Sequence, residues 1–179
     1  MTPQPALSIE ASALKRDRFA TILRRFGNPY RLASYVLVLY AAGHTAGAVI
    51  STPRFGTAAD AVAAAMKSVH FDAQGFDDSW YGFYLGFGWF VSLFFVLSAV
   101  LSWYIGGLPM RDRAGLAAIT WSLCLSYLGS TAIAWKYFFA VPIVFSSLAT
   151  LLLATGCVQD AIGRRTIATA PRRSASADK

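Results

Sequence analysis

The stretch SWYGFYLGFGWFVSLFFVLSAVLSWYI, residues 79–105, decides the fold. It runs for 27 residues without one Asp, Glu, Lys or Arg. A helix needs about 20 mostly apolar residues to cross roughly 30 Å of hydrocarbon, so this stretch reads as a spanning helix. Gly106-Gly107-Leu108-Pro109 stops it, and its surplus length predicts tilt or protrusion. Three further uncharged runs lie on either side, at residues 32–51, 114–134 and 138–158. Pro142 falls in the first turns of the last run, where proline costs least.

Composition agrees with this reading. Of 179 residues, 56% are hydrophobic and 14% charged, against about 25% charged in a soluble domain. Disorder, a disulfide-rich scaffold and a soluble enzyme are excluded. The expected fold is an all-α membrane protein, four transmembrane helices in a bundle with a short outer amphipathic helix in the first loop. Residues 1–30 form a tail with a basic amphipathic helix, in which Phe19, Ile22, Leu23 and Phe26 recur at helical spacing. Residues 31–160 are the membrane domain, and 161–179 read as a disordered basic tail.

Orientation follows from Lys and Arg near the spans. The N-terminal tail carries Lys15, Arg16, Arg18, Arg24, Arg25 and Arg31. The loop between spans two and three adds Arg111 and Arg113, and the C-terminal tail adds Arg164, Arg165, Arg172, Arg173 and Lys179. The other two loops hold only Arg54, Lys67 and Lys136. Both termini are therefore expected in the cytoplasm, and the 52–78 loop outside. Anionic lipid at the cytoplasmic face accounts for the net charge of +7, with no need of nucleic acid. In the outer loop, Thr57 with Asp60 fits a capped helix start, and Val62, Met66 and Val69 make a narrow apolar stripe. The acidic run 71–78 reads as a turn, with Asp77 and Asp78 at the N-terminus of span two.

Depths at about 1.5 Å per residue suggest one polar layer in the outer half. Span one brings Gly43, His44 and Gly47 there, and span two, counted from outside, brings Gly82, Tyr84 and Gly86. Gly43-x-x-x-Gly47 and Gly82-x-x-x-Gly86 are small-residue faces expected to form the contact between spans one and two. Tyr127, Ser130 and Thr131 come from span three, and Ser146, Ser147 and Thr150 from span four. His44 is expected to point inward and uncharged, toward Tyr84 and these hydroxyls, because an ionisable group in hydrocarbon is costly. The candidate ligand-binding residues are His44, Tyr84, Tyr127, Ser130, Thr131 and Ser146, with His44 and Tyr84 the catalytic candidates if the protein is an enzyme. Phe87, Trp89 and Phe90 lie too deep for an interfacial belt and read as packing groups.

Several chemistries are excluded. Cys124 and Cys157 stand about 15 Å apart in depth on this reckoning and should stay unpaired. No span carries a carboxylate, two histidines without thiolate or carboxylate partners make no metal site, and no P-loop, GxSxG or HExxH motif occurs. No cofactor is expected, and His70 reads as a solvated loop residue.

Gly43-His44-Thr45-Ala46-Gly47 and the longer Met66-x4-Phe71-x3-Gly75-x3-Ser79-Trp80-Tyr81-Gly82-Phe83-Tyr84-Leu85-Gly86-Phe87-Gly88 resemble a group of uncharacterised bacterial four-span membrane proteins. That group shares the histidine and glycines of span one and an aromatic entry to span two. The likeness covers residues 32–105, and the layout of one span, an outer segment and three spans also resembles DoxX-like proteins in architecture alone. The resemblance implies a bacterial inner-membrane location and no activity. Three functions follow as expectations. They are binding of a lipophilic or small polar molecule in the outer half, acid/base catalysis by His44 on a lipid-like substrate, and an accessory role on another membrane protein or in a homo-oligomer.

Overall fold

The computed structural model describes residues 27–51 and 55–169. The basic helix expected before residue 27, and the last part of the tail, lie outside the described residues. The elements run α1 (Pro29–His44) with a π-helical turn (Thr45–Ile50), α2 (Thr57–Ser68), β1 (His70–Ala73), β2 (Phe76–Ser79), α3 (Trp80–Gly107), α4 (Met110–Arg113) with a 3-10 turn (Ala114–Leu116), α5 (Ala117–Tyr137) and α6 (Ala140–Thr169). Four helical stretches are long and apolar enough to cross a membrane, Pro29–Ile50, Trp80–Gly107, Met110–Tyr137 and Ala140–Arg165. The protein is an all-α, multi-pass membrane protein.

The described residues divide into two compact units, 27–33 together with 102–169, and those between 34 and 101. In the first unit, span one starts earlier than its apolar run. Asn28 caps α1, its Oδ1 accepting the Tyr30 N–H at 3.0 Å, and Pro29 takes the first helical position, where its missing N–H is harmless. Asn28 Nδ2 donates to the Gly106 carbonyl at 3.2 Å, serving an orphan acceptor at the end of α3. The two-residue link between α5 and α6 forces those helices antiparallel. Their shared interior holds Leu123, Cys124, Tyr127, Ala149 and Leu153, all buried.

A buried ion pair lies in this unit. Asp160 Oδ1 meets Arg113 Nη2 at 3.1 Å, with side chains 5% and 11% exposed, and Tyr30 OH donates to Asp160 Oδ2 at 2.9 Å. Spans one, three and four are thus tied through one carboxylate. Beyond it α6 continues to Thr169, so residues 161–169, expected to begin a disordered tail, are helical. Arg164 Nη1 donates to the Ala114 carbonyl at 3.5 Å, one turn beyond Asp160, so the helix extends where its side chains find partners on the third span.

In the second unit, Val49 at the π turn packs against α3 at Gly88, where an added Cβ would stand 3.0 Å from Val49 Cγ2. Lower down, Ser34 Oγ donates to the Ala99 carbonyl at 2.8 Å, and Tyr40 stacks on Phe95 with centroids 4.0 Å apart. The outer segment differs from expectation in two ways. Gly56 (φ +100°) rather than Thr57 holds the cap position of α2, and Asp60 Oδ1 accepts the Phe55 N–H at 3.3 Å. The acidic run is a hairpin and not only a turn, β1 pairing antiparallel with β2 and Asp72 opposite Asp77. Gln74 (φ 56°) and Gly75 (φ 81°) form its two-residue loop, and two positive φ values match the right-handed twist of the strands. Asp72 Oδ1 accepts the Gly75 N–H at 2.9 Å and closes it.

Ser79 caps span two, accepting the Gly82 N–H at 3.0 Å, with Asp78 one residue ahead accepting the Ser79 N–H at 2.7 Å. From the hairpin, Phe71 packs on Trp80 at 4.7 Å and Phe83 at 5.6 Å, and Phe83 meets Phe87 edge-on at 4.9 Å. Phe87, Trp89 and Phe90 are nonetheless exposed in the chain, which corrects their reading as packing groups. A 28-residue helix presents more surface than one neighbouring span can cover.

Candidate functional site

His44, the histidine of span one, sits at the junction between α1 and the π turn. It is half-buried. Its Nδ1 lies 3.1 Å from Ser92 Oγ, and its ring meets Phe95 edge-on with centroids 5.6 Å apart. Thr45 Oγ1 donates to the same Ser92 Oγ at 2.8 Å, and Ser92 Oγ donates to the Gly88 carbonyl at 3.1 Å. Adjacent residues of an α-helix do not face one way, yet His44 and Thr45 both reach one oxygen. The change from α to π winding falls between them, and single π turns recur at functional sites.

Ser92 is the residue that sequence reasoning missed. Counting span two from the end nearer the hairpin sets Tyr84 level with His44. Tyr84 instead stands two turns outside Ser92, half exposed, with its ring 6.4 Å from that of Tyr81. Counted from the other end, the levels agree, since Pro29 to His44 and Gly107 back to Ser92 are equal intervals. The surplus length of α3 lies at its hairpin end and carries Tyr84 with it.

The glycine faces are also corrected. A Cβ at Gly43, Gly47 or Gly86 would meet nothing within 4 Å, and the atoms nearest to one at Gly82 are those of the Asp78 carboxylate at the end of β2. Spans one and two approach closely instead at Gly88, against Val49 Cγ2, and at Gly106, where a Cβ would stand 3.1 Å from the Arg31 backbone N. The same displacement explains the contact at Gly88, because the small residue level with Val49 is deeper in span two than the Gly82/Gly86 pair.

The hydroxyls of spans three and four belong to the other unit. Tyr127 is fully buried on α5. Ser130 donates to the Ser126 carbonyl at 2.9 Å and Thr131 to the Tyr127 carbonyl at 2.8 Å. Ser146, also buried, donates to the Pro142 carbonyl at 2.7 Å. Such bonds to the preceding turn satisfy a hydroxyl inside its own helix. One pair crosses between helices, Thr131 Oγ1 to Thr150 Oγ1 at 2.9 Å. The two thiols are free and buried, but Cys157 lies close to Cys124, against the separation expected from depth. The antiparallel α5–α6 hairpin brings position 157 back to the level of 124. His70 is exposed but begins β1 rather than lying in a loop, and it holds Asp77 Oδ1 at 3.2 Å across the hairpin.

Among the described residues no group of three His, Cys, Asp or Glu converges on a metal-sized site. No family model, curated protein or solved structure matches the chain. Fold and site together define a four-span membrane protein with a histidine–serine–threonine cluster within its first two spans.

Proposed function

We propose that this protein resides in a bacterial inner membrane, with both termini cytoplasmic, and binds a lipophilic or small polar molecule in its outer half. Support for the orientation comes from the Lys and Arg bias, which places the basic flanks on the anionic leaflet. Arg31, stacked 3.6 Å above the Trp103 ring, fits the level of lipid headgroups. The binding reading rests on one observation. His44 is held by Ser92 through one ring nitrogen, and a polar side chain in a span normally faces a partner or a cavity.

Native mass spectrometry with lipids retained tests this reading. The wild type is expected to carry a non-protein mass whose occupancy falls in His44→Leu. Equal occupancy in the two would sink it. A second reading, an accessory subunit or homo-oligomer, is favoured by the open backbone at Gly43 and Gly47. The same spectra separate the two through the oligomeric state.

A further inference from the structure

We infer that Ser92 locks His44 as its Nδ1–H tautomer, so that Nε2 is the acceptor for the hydroxyl head of an amphipathic alcohol. The inference rests on the binding reading above and names the ligand chemistry of that site.

The argument is a proton count. A serine hydroxyl has one proton and two acceptor lone pairs. The proton of Ser92 goes to the Gly88 carbonyl, 3.1 Å away on the preceding turn. One lone pair accepts the proton of Thr45 Oγ1 at 2.8 Å. Only a lone pair then remains to face His44 Nδ1 at 3.1 Å, so Nδ1 must bring the proton. In a neutral imidazole with Nδ1 protonated, Nε2 carries a lone pair and can only accept. Neutrality follows from the setting, because α1, the π turn and α3 contain no carboxylate to balance a cation, and an uncompensated charge within a span is costly.

Among the described residues no hydrogen bond reaches Nε2, and it is not one of the sealed, unpartnered atoms. An open acceptor at this depth requires a donor, since hydrocarbon supplies none. The surroundings select what carries that donor. The ring edge rests on Phe95, which stacks on Tyr40. Gly43 and Gly47 on either side leave the backbone uncovered, with no atom within 4 Å of where a Cβ would be. An apolar body can lie along that flat surface while one hydroxyl meets Nε2. An anion is refused, because a neutral Nε2 has no proton to give it. Ser92 is accordingly a positioning residue, and His44 the contact.

The test uses the full chain with His70→Gln, which leaves one imidazole, labelled with 15N-histidine in nanodiscs of phosphatidylcholine. That lipid has no hydrogen-bond donor of its own. Long-range proton–nitrogen correlation is expected to show a protonated Nδ1 and a pyridine-type Nε2. Adding dodecanol should move the Nε2 resonance upfield, and dodecyl methyl ether should not. In Ser92→Ala the preference for Nδ1–H should be lost, which a merely space-filling serine would not produce. A resting Nε2–H tautomer overturns the inference, and so does an equal or absent response to alcohol and ether. Either result, with a molecule still retained in the mass spectra, leaves the binding reading standing. The alcohol response with no mass retained upholds the acceptor and overturns that reading instead.

Discussion

Ser92 accepts from two side chains and donates to a backbone carbonyl, which leaves no part of its hydroxyl idle. Replacing it with alanine strands two donors in a span, so Ser92→Ala should lower stability by about 1–3 kcal/mol. Thermal unfolding in a fixed detergent measures this, and Ser98→Ala, whose hydroxyl bonds only the Phe94 carbonyl of its own helix, should cost less. Asp160 is the other residue on which several partners converge. Asp160→Ala leaves Arg113 buried without its counter-charge, at a cost of about 3–5 kcal/mol. Tyr30→Phe removes the bond to Asp160 and the long 3.8 Å contact with Cys157 Sγ, and should cost about 1.5–3 kcal/mol, the range for a bond to a charged group. Equal losses from both variants would show that the ion pair is not the dominant part. In the sequence, Ser92 is one uncharged residue within a long apolar run, and Asp160 closes the membrane domain with no partner in view. Neither reading could include partners that come from other helices.

Span two is the element on which the expectations turn. Its apolar run ends cleanly at Gly106-Gly107, so its inner end was legible. Its outer end was not, because Trp and Tyr continue the apolar pattern past the width of the hydrocarbon. That ambiguity displaced the polar partner from Ser92 to Tyr84 and the glycine contact from Gly88 to Gly82 and Gly86. The correction makes a sharp prediction about packing. Gly88→Leu drives bulk toward Val49 and should cost about 1–3 kcal/mol. Gly43→Ala and Gly86→Ala, with open space at the Cβ, should be neutral or gain the roughly 0.5–1 kcal/mol by which alanine exceeds glycine within a helix. Chemical unfolding of the three variants side by side checks it, and a Gly43→Ala loss matching that of Gly88→Leu would reject the placement. The hairpin was missed for a related reason. Its four-residue strands carry acidic side chains, and only the two-residue Gln74-Gly75 loop marks it.

For the whole molecule, topology carries the most. Reporter fusions after residues 27 and 165 should both read as cytoplasmic, and one at Gln74 as external. A cytoplasmic reading at Gln74 would invert the protein and place His44 in the inner half.

Chain order, four spans, their approximate bounds and the basic flanks were all determined by sequence alone. They depend on how many consecutive residues lack charge, and the bilayer imposes that length whatever the helices touch. Level and partnership were decided only by tertiary structure. His44 finds Ser92, Cys124 finds Cys157, and Asp160 finds Arg113 and Tyr30. Each meeting depends on how far one helix is displaced along another, and on the winding change at Thr45. A displacement of one turn, about 5.4 Å, leaves hydropathy unchanged while exchanging every polar partner.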